Sequence, residues 1–143
     1  ADFPEKSMYQ VTRELRFCYG HRLLNYDGKC RHLHGHNGRV IITLEAPALD
    51  ALGMVMDFSQ IKRVVSAWID QNLDHRMLLH KDDPILPELR RQNEPVFLLE
   101  VNPTAENIAK LIYDFVASQN FPVTQVALWE TDDSFAVYRR DGK

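Results

Sequence analysis

A chain of 143 residues, 45% of them hydrophobic and 26% charged, is long enough to bury one core and has the balance of a globular domain. Its net charge of −3 argues against a general nucleic-acid or anionic-membrane binder, and it lacks the apolar run of about 18 residues needed to cross a bilayer. Two cysteines are too few for a disulfide framework and read as free thiols in a reducing cytoplasm.

Residues 1–8 read as a flexible segment leading into one domain over 1–143. Ala1 to Lys6 lacks a secretory pattern. Residues 9–20 and 36–46 alternate as strands and are joined by a loop holding Asn25, Asp27, Gly28 and Cys30. Residues 58–72 form an amphipathic helix, with Phe58, Ile61, Val64, Val65, Trp68 and Ile69 on one face and Asp57 as its N-cap. Pro84 and Pro87 interrupt 73–94, which reads as a loop with a short helical piece. The apolar run 95–101 reads as a strand. A second helix covers 104–118, capped by Thr104 or Asn102. Strands follow at 123–130 and 135–140. This order implies an α+β fold with an antiparallel sheet covered on one face by helices.

The chemistry concentrates in Cys30-Arg31-His32-Leu33-His34-Gly35-His36. Alternate strand positions share a face, so His34 and His36 can reach one metal ion. On an extended strand, His32 and His36 would stand about 13 Å apart at roughly 3.3 Å per residue, which is awkward for one ion. His21 is the better third ligand, because it shares the odd parity of Val11, Leu15, Phe17 and Tyr19. His34 and His36 share the even parity of Val40, Ile42 and Leu44. If the strands pair, all three imidazoles project from one buried face. Three neutral imidazoles with an open fourth position describe a catalytic zinc site. A chance His-x-His pair on a strand is the plainer alternative.

Other residues carry possible chemistry. Cys30, between Lys29 and Arg31, has cationic neighbours that favour a thiolate, or it is an idle loop cysteine. Cys18 has the parity of the polar face and reads as passive. Asp74-His75 is either a proton-transfer pair or an ordinary helix-end pair. Glu130 shares the parity of Val126 and Leu128. A carboxylate there needs either a ligand with adjacent N–H donors, such as the amino-pyrimidine edge of a pterin, or a structural partner such as an arginine. His32 and His80 read as surface or supporting residues.

Taken together, the chain resembles the 6-pyruvoyl-tetrahydropterin synthase / 6-carboxy-tetrahydropterin synthase family. The resemblance rests on Phe17-Cys18-Tyr19-Gly20-His21-Arg22-Leu23, Cys30-x-x-x-His34-Gly35-His36-Asn37, Met54-Val55-Met56-Asp57-Phe58, Leu73-Asp74-His75, Asn102-Pro103-Thr104-Ala105-Glu106-Asn107 and Trp129-Glu130-Thr131. These stretches occur in the family's order from about residue 9 to 140. The resemblance implies the tunnelling fold: a β-β-α-α-β-β unit with a four-stranded antiparallel sheet and two helices packed on one face. It further implies a homo-oligomer, trimer or hexamer, with active sites at subunit interfaces.

Residue by residue, the resemblance makes His21, His34 and His36 the ligands of Zn2+ and Cys30 the proton-abstracting group. Asp74 and His75 become the partner dyad, and Glu130 the anchor of the pterin ring, with Thr104 and Glu106 lining the same pocket. The implied substrate is dihydroneopterin triphosphate. Three residues separate Cys30 from His34, which looks like the queuosine branch, where 6-carboxy-tetrahydropterin, acetaldehyde and triphosphate are released. Biopterin synthases have a longer gap and keep the three-carbon side chain. A non-catalytic pterin binder is the remaining alternative. The segment His80–Val101 is longer than in compact family members.

Overall fold

A computed structural model describes residues 7–141. Six of the eight residues expected to lead flexibly into the domain therefore lie outside the described residues, and β1 begins directly at Tyr9. β1 (Tyr9–His21) and β2 (His34–Ala46) form a long antiparallel hairpin whose register places His21 opposite His34 and Tyr19 opposite His36. A 3-10 turn, Lys29–Arg31, sits in the connecting loop. α1 (Phe58–Asn72) follows, then β3 (Arg76–His80), α2 (Leu86–Arg91), β4 (Val96–Leu99), α3 (Ala105–Ser118), β5 (Val123–Trp129) and β6 (Phe135–Arg139).

The sheet has six strands in the order β4-β3-β1-β2-β5-β6. β3 runs parallel to β1 and to β4, whereas β2, β5 and β6 pair antiparallel. This corrects the expected four-stranded antiparallel sheet with two helices: the sheet is mixed, and the described residues form three α-helices. The apolar run near 95–101 is a strand and the proline-bounded segment contains a helix, as the sequence indicated. β3 lacked a signal for a physical reason. Its consecutive Leu78 and Leu79 are both fully buried, so the strand has no polar alternation to announce it. It is also entered from a helix rather than from a hairpin turn.

The helix boundaries follow from their caps. The Asp57 carboxylate accepts from Ser59 N–H at 2.8 Å, and Thr104 Oγ1 accepts from Asn107 N–H at 3.1 Å, so Thr104 rather than Asn102 caps α3. Ile61, Val65 and Ile69 of α1 and Ile108, Ile112 and Val116 of α3 bury against Leu15, Phe17, Val40, Ile42, Leu44, Val126 and Leu128. Trp68 stacks on Phe115 at 4.6 Å between ring centroids and joins the two helices. Each fully buried aliphatic side chain stabilises this layer by about 1.5–3 kcal/mol. The opposite sheet face is polar along β1, where Glu14 accepts from both Arg16 and Arg39. Among the described residues, no helix is long and apolar enough to cross a membrane.

Candidate metal centre

The long β1–β2 pairing carries the histidines to the edge of the apolar layer. One ring nitrogen from each of His21, His34 and His36 lies within 4.8 Å of the other two. His21 is 3% exposed, and its Nδ1–H donates to the Pro103 carbonyl oxygen at 2.6 Å. His34 Nδ1–H donates to the His32 carbonyl at 2.8 Å. A carbonyl oxygen can only accept, so in both rings Nδ1 carries the proton and Nε2 keeps its lone pair. Burial, as the largest influence, lowers the pKa of His21 and keeps its ring neutral. Its Nε2 is buried with no hydrogen bond. An orphaned, neutral imidazole nitrogen grouped with two more imidazoles is the donor set that zinc takes.

Glu130, just beyond the end of β5, turns its carboxylate into this cluster. Its Oε2 lies 3.1 Å from His36 Nε2 and 3.3 Å from His21 Nε2. Tyr19 Oη donates to the same oxygen at 2.6 Å. Burial first, and then the adjacent carboxylate, raises the Tyr19 pKa far above its ordinary value, so the phenol stays protonated and remains a donor. Gly38 makes room for this phenol, since a Cβ there would meet the Tyr19 ring at 3.0 Å. Of the two kinds of partner left open for Glu130 by the sequence, the described residues supply a structural one, with Tyr19 in the place of an arginine. Glu130 also lines a cavity of about 410 Å³ with Glu106 and residues 134–137 of the β6 edge. Two of the three predicted pterin-contacting residues therefore share one cavity. Thr104 caps α3 one residue away from its wall.

Asp74 and His75 form a real pair, with His75 Nδ1 2.9 Å from Asp74 Oδ2. Cys18 N–H donates to Asp74 Oδ1 at 2.9 Å, and His75 N–H donates to the Cys18 carbonyl at 2.7 Å. Burial works to raise the Asp74 pKa, but the bonds from Cys18 N–H and His75 outweigh it and hold the carboxyl below its ordinary range. His75 adopts φ 58°, a left-handed conformation that these two backbone contacts of Cys18 sustain. The Cys18 thiol itself lies 2.9 Å from Asn37 Oδ1.

The dyad is not part of the three-histidine group, but His75 lines a cleft of about 560 Å³ together with His34 and His36. Cys30 sits half-buried in the 3-10 turn and is not part of the histidine cluster. Its loop is nevertheless pinned. Leu23 N–H donates to the Cys30 carbonyl, Asn102 exchanges two hydrogen bonds with the Leu24 backbone, and the Arg22 guanidinium forks onto the buried Asp83 carboxylate. The sequence reading missed Tyr19, Asn102, Pro103 and the Arg22–Asp83 pair. Tyr19, Arg22, Asn102 and Pro103 had a signal, because they stand in the quoted motifs that contain His21 and Thr104, whereas Asp83 had none.

With fold and site described, the class follows. A profile of the 6-pyruvoyl tetrahydropterin synthase family matches residues 10–141, and the chain belongs to that family. It is 40% identical over 138 residues to a 6-carboxy-5,6,7,8-tetrahydropterin synthase of Rickettsia conorii, covering 90% of this chain and 98% of that one. It is 32% identical to the 6-pyruvoyl tetrahydrobiopterin synthase of Pongo abelii, covering 91% and 90% of the two chains. A crystal structure of an uncharacterised Wolinella succinogenes protein superposes with a TM-score of 0.78 at 28% identity, over 94% of this chain and 99% of that one.

Proposed function

We propose that the chain is a zinc-dependent 6-carboxy-5,6,7,8-tetrahydropterin synthase that acts on dihydroneopterin triphosphate in 7-deazapurine (queuosine) biosynthesis. The observation that carries this is Glu130, which touches the three-histidine cluster and lines the adjoining cavity with Glu106. A pterin ring held there by its N–H edge would extend its side chain toward the histidines. The identity shared with the Rickettsia synthase supports this branch, as does the short spacing from Cys30 to His34.

His21, His34 and His36 would hold the zinc, which when bound supplies Lewis acidity to the side-chain oxygens of the substrate. Glu130 and Glu106 accept from the ring, and Thr104 fixes the helix start that carries Glu106. Cys30, fastened by its backbone to Leu23, removes the proton from the side-chain carbon. His75, oriented by Asp74, handles the second proton. Asp74 is held ionised by the Cys18 N–H, so the imidazole always has its carboxylate partner. In the homo-oligomer that the family resemblance implies, which operates in the cytoplasm, the site lies at a subunit interface and a second copy supplies part of it.

The test is mass spectrometry of products from zinc-loaded protein and dihydroneopterin triphosphate, with an acetaldehyde trap present. Acetaldehyde with 6-carboxytetrahydropterin is expected. A retained three-carbon side chain would move the protein to the 6-pyruvoyl branch, and unchanged substrate would make it a pterin binder. Cys30→Ala is expected to lower kcat by about 10²–10⁴-fold while leaving neopterin affinity intact.

A further inference from the structure

Glu130 stands one residue past the end of β5, where the chain turns toward β6, and its backbone N–H donates to the Ser134 carbonyl across that turn at 3.2 Å. Its side chain has several free torsions. A glutamate left loose at a strand end loses rotamer freedom each time it closes on a ligand, and that loss weakens binding. Tyr19 removes the freedom in advance. It lies on β1, inside the sheet between β3 and β2, and is 3% exposed. Its ring stacks on Phe17 at 5.0 Å between centroids and meets His21 edge-on at 5.2 Å. An ionised carboxylate can only accept, so the phenol donates the 2.6 Å bond to Glu130 Oε2. A rigid donor on an inner strand thus holds a mobile acceptor 111 positions away in the chain. The contacts with Tyr19, His21 and His36 all go to Oε2. None of them goes to Oε1, so the carboxylate keeps acceptor capacity for the cavity it lines.

We propose that Tyr19 is a positioning residue for pterin recognition: its hydroxyl fixes the Glu130 carboxylate in the orientation that meets the N–H donors of the ring. The inference rests on the reading of Glu130 as the pterin anchor and deepens it by naming what aims the anchor. Gly38 belongs to the same device. A Cβ there would meet the Tyr19 ring at 3.0 Å, so a larger residue would push the phenol off its line to the carboxylate. In this role the tyrosine acts through Glu130 and not on the ligand.

The test reads pterin affinity separately from turnover. Wild type, Tyr19→Phe, Glu130→Ala and the double variant are checked for folding by circular dichroism and titrated with neopterin by calorimetry. Tyr19→Phe keeps the ring and its stack on Phe17 and deletes only the hydroxyl. It is expected to weaken neopterin binding by about 3–10-fold, and Glu130→Ala by about 10–150-fold. The double variant should bind no more weakly than Glu130→Ala, because the hydroxyl has lost the group it acts through. With dihydroneopterin triphosphate, Tyr19→Phe should raise KM by the same factor and leave kcat unchanged. Equal neopterin affinity in wild type and Tyr19→Phe overturns the inference and leaves Glu130 as the anchor. So does a Tyr19→Phe loss that recurs in full on top of Glu130→Ala, which would assign the tyrosine to packing. A wild type that binds neopterin no better than Glu130→Ala overturns the anchor reading itself.

Discussion

His21 shows what one residue needs beyond its place in the chain. Parity placed it on the face of His34 and His36, and the hairpin register confirms that placement. Its tautomer is set by the carbonyl of Pro103, 82 positions away, which no local pattern reveals. His21→Ala is therefore expected to abolish high-affinity zinc binding, measured by metal analysis after dialysis. Retained stoichiometric zinc would refute the ligand set. Asp83 makes the electrostatic case. Burial would raise its carboxyl pKa, but the Arg22 guanidinium and the Ile85 N–H outweigh it and hold the group below the ordinary carboxylate range. A depressed folded pKa means that the pair's stabilisation is complete above the unfolded value near 3.8 and is lost as pH falls through the folded value. Asp83→Asn is expected to lower Tm at pH 7, and thermal melts should show the gap to wild type closing progressively below about pH 4. A gap independent of pH would assign the loss to packing instead.

At the scale of elements, the two long helices were legible because their apolar stripes and caps are local. Thr104→Ala should cost about 1 kcal/mol of stability, read as a shift of the denaturant midpoint, because it leaves an N-terminal N–H of α3 without its acceptor. β3 was not legible, since Leu78 and Leu79 are buried side by side and carry no period. Leu78→Ala is expected to cost about 2–5 kcal/mol, far more than a surface loop could. The stretch from Asn102 to Asn107 serves several elements together. Asn102 clasps Leu24, Pro103 orients His21, Thr104 caps α3, and Asn107 Nδ2–H donates to the Asn102 carbonyl. Asn102→Ala should raise amide hydrogen exchange across the loop from 22 to 33, which carries Cys30, while the β1–β2 pairing stays protected. Unchanged exchange in the loop would show that Arg22–Asp83 alone holds it.

For the whole molecule, His75 of the dyad lines one cleft with His34 and His36, and the Glu130 side of the cluster opens onto a second cavity. Among the described residues, β4 and β6 are sheet edges without a partner strand, and Phe135 and Val137 on β6 are exposed. These edges suit an assembly in which a second copy pairs them. Homo-oligomers of His21→Ala and of His75→Ala are each expected to be inactive, whereas oligomers refolded from a mixture of the two should regain a fraction of wild-type turnover. Failure of the mixture to recover would place the whole reaction within one subunit.

The sequence by itself determined the helix faces, the long hairpin, the shared face of the three histidines and the family, because each depends on patterns within a few residues or on short motifs kept in order. Only the tertiary structure decided the mixed sheet, the Tyr19 and histidine contacts of Glu130, the carbonyl behind His21 and the cleft that His75 lines with His34 and His36. Each of these is a meeting of segments far apart in the chain, set by how strands pair and helices cross over, and no local periodicity encodes such a meeting.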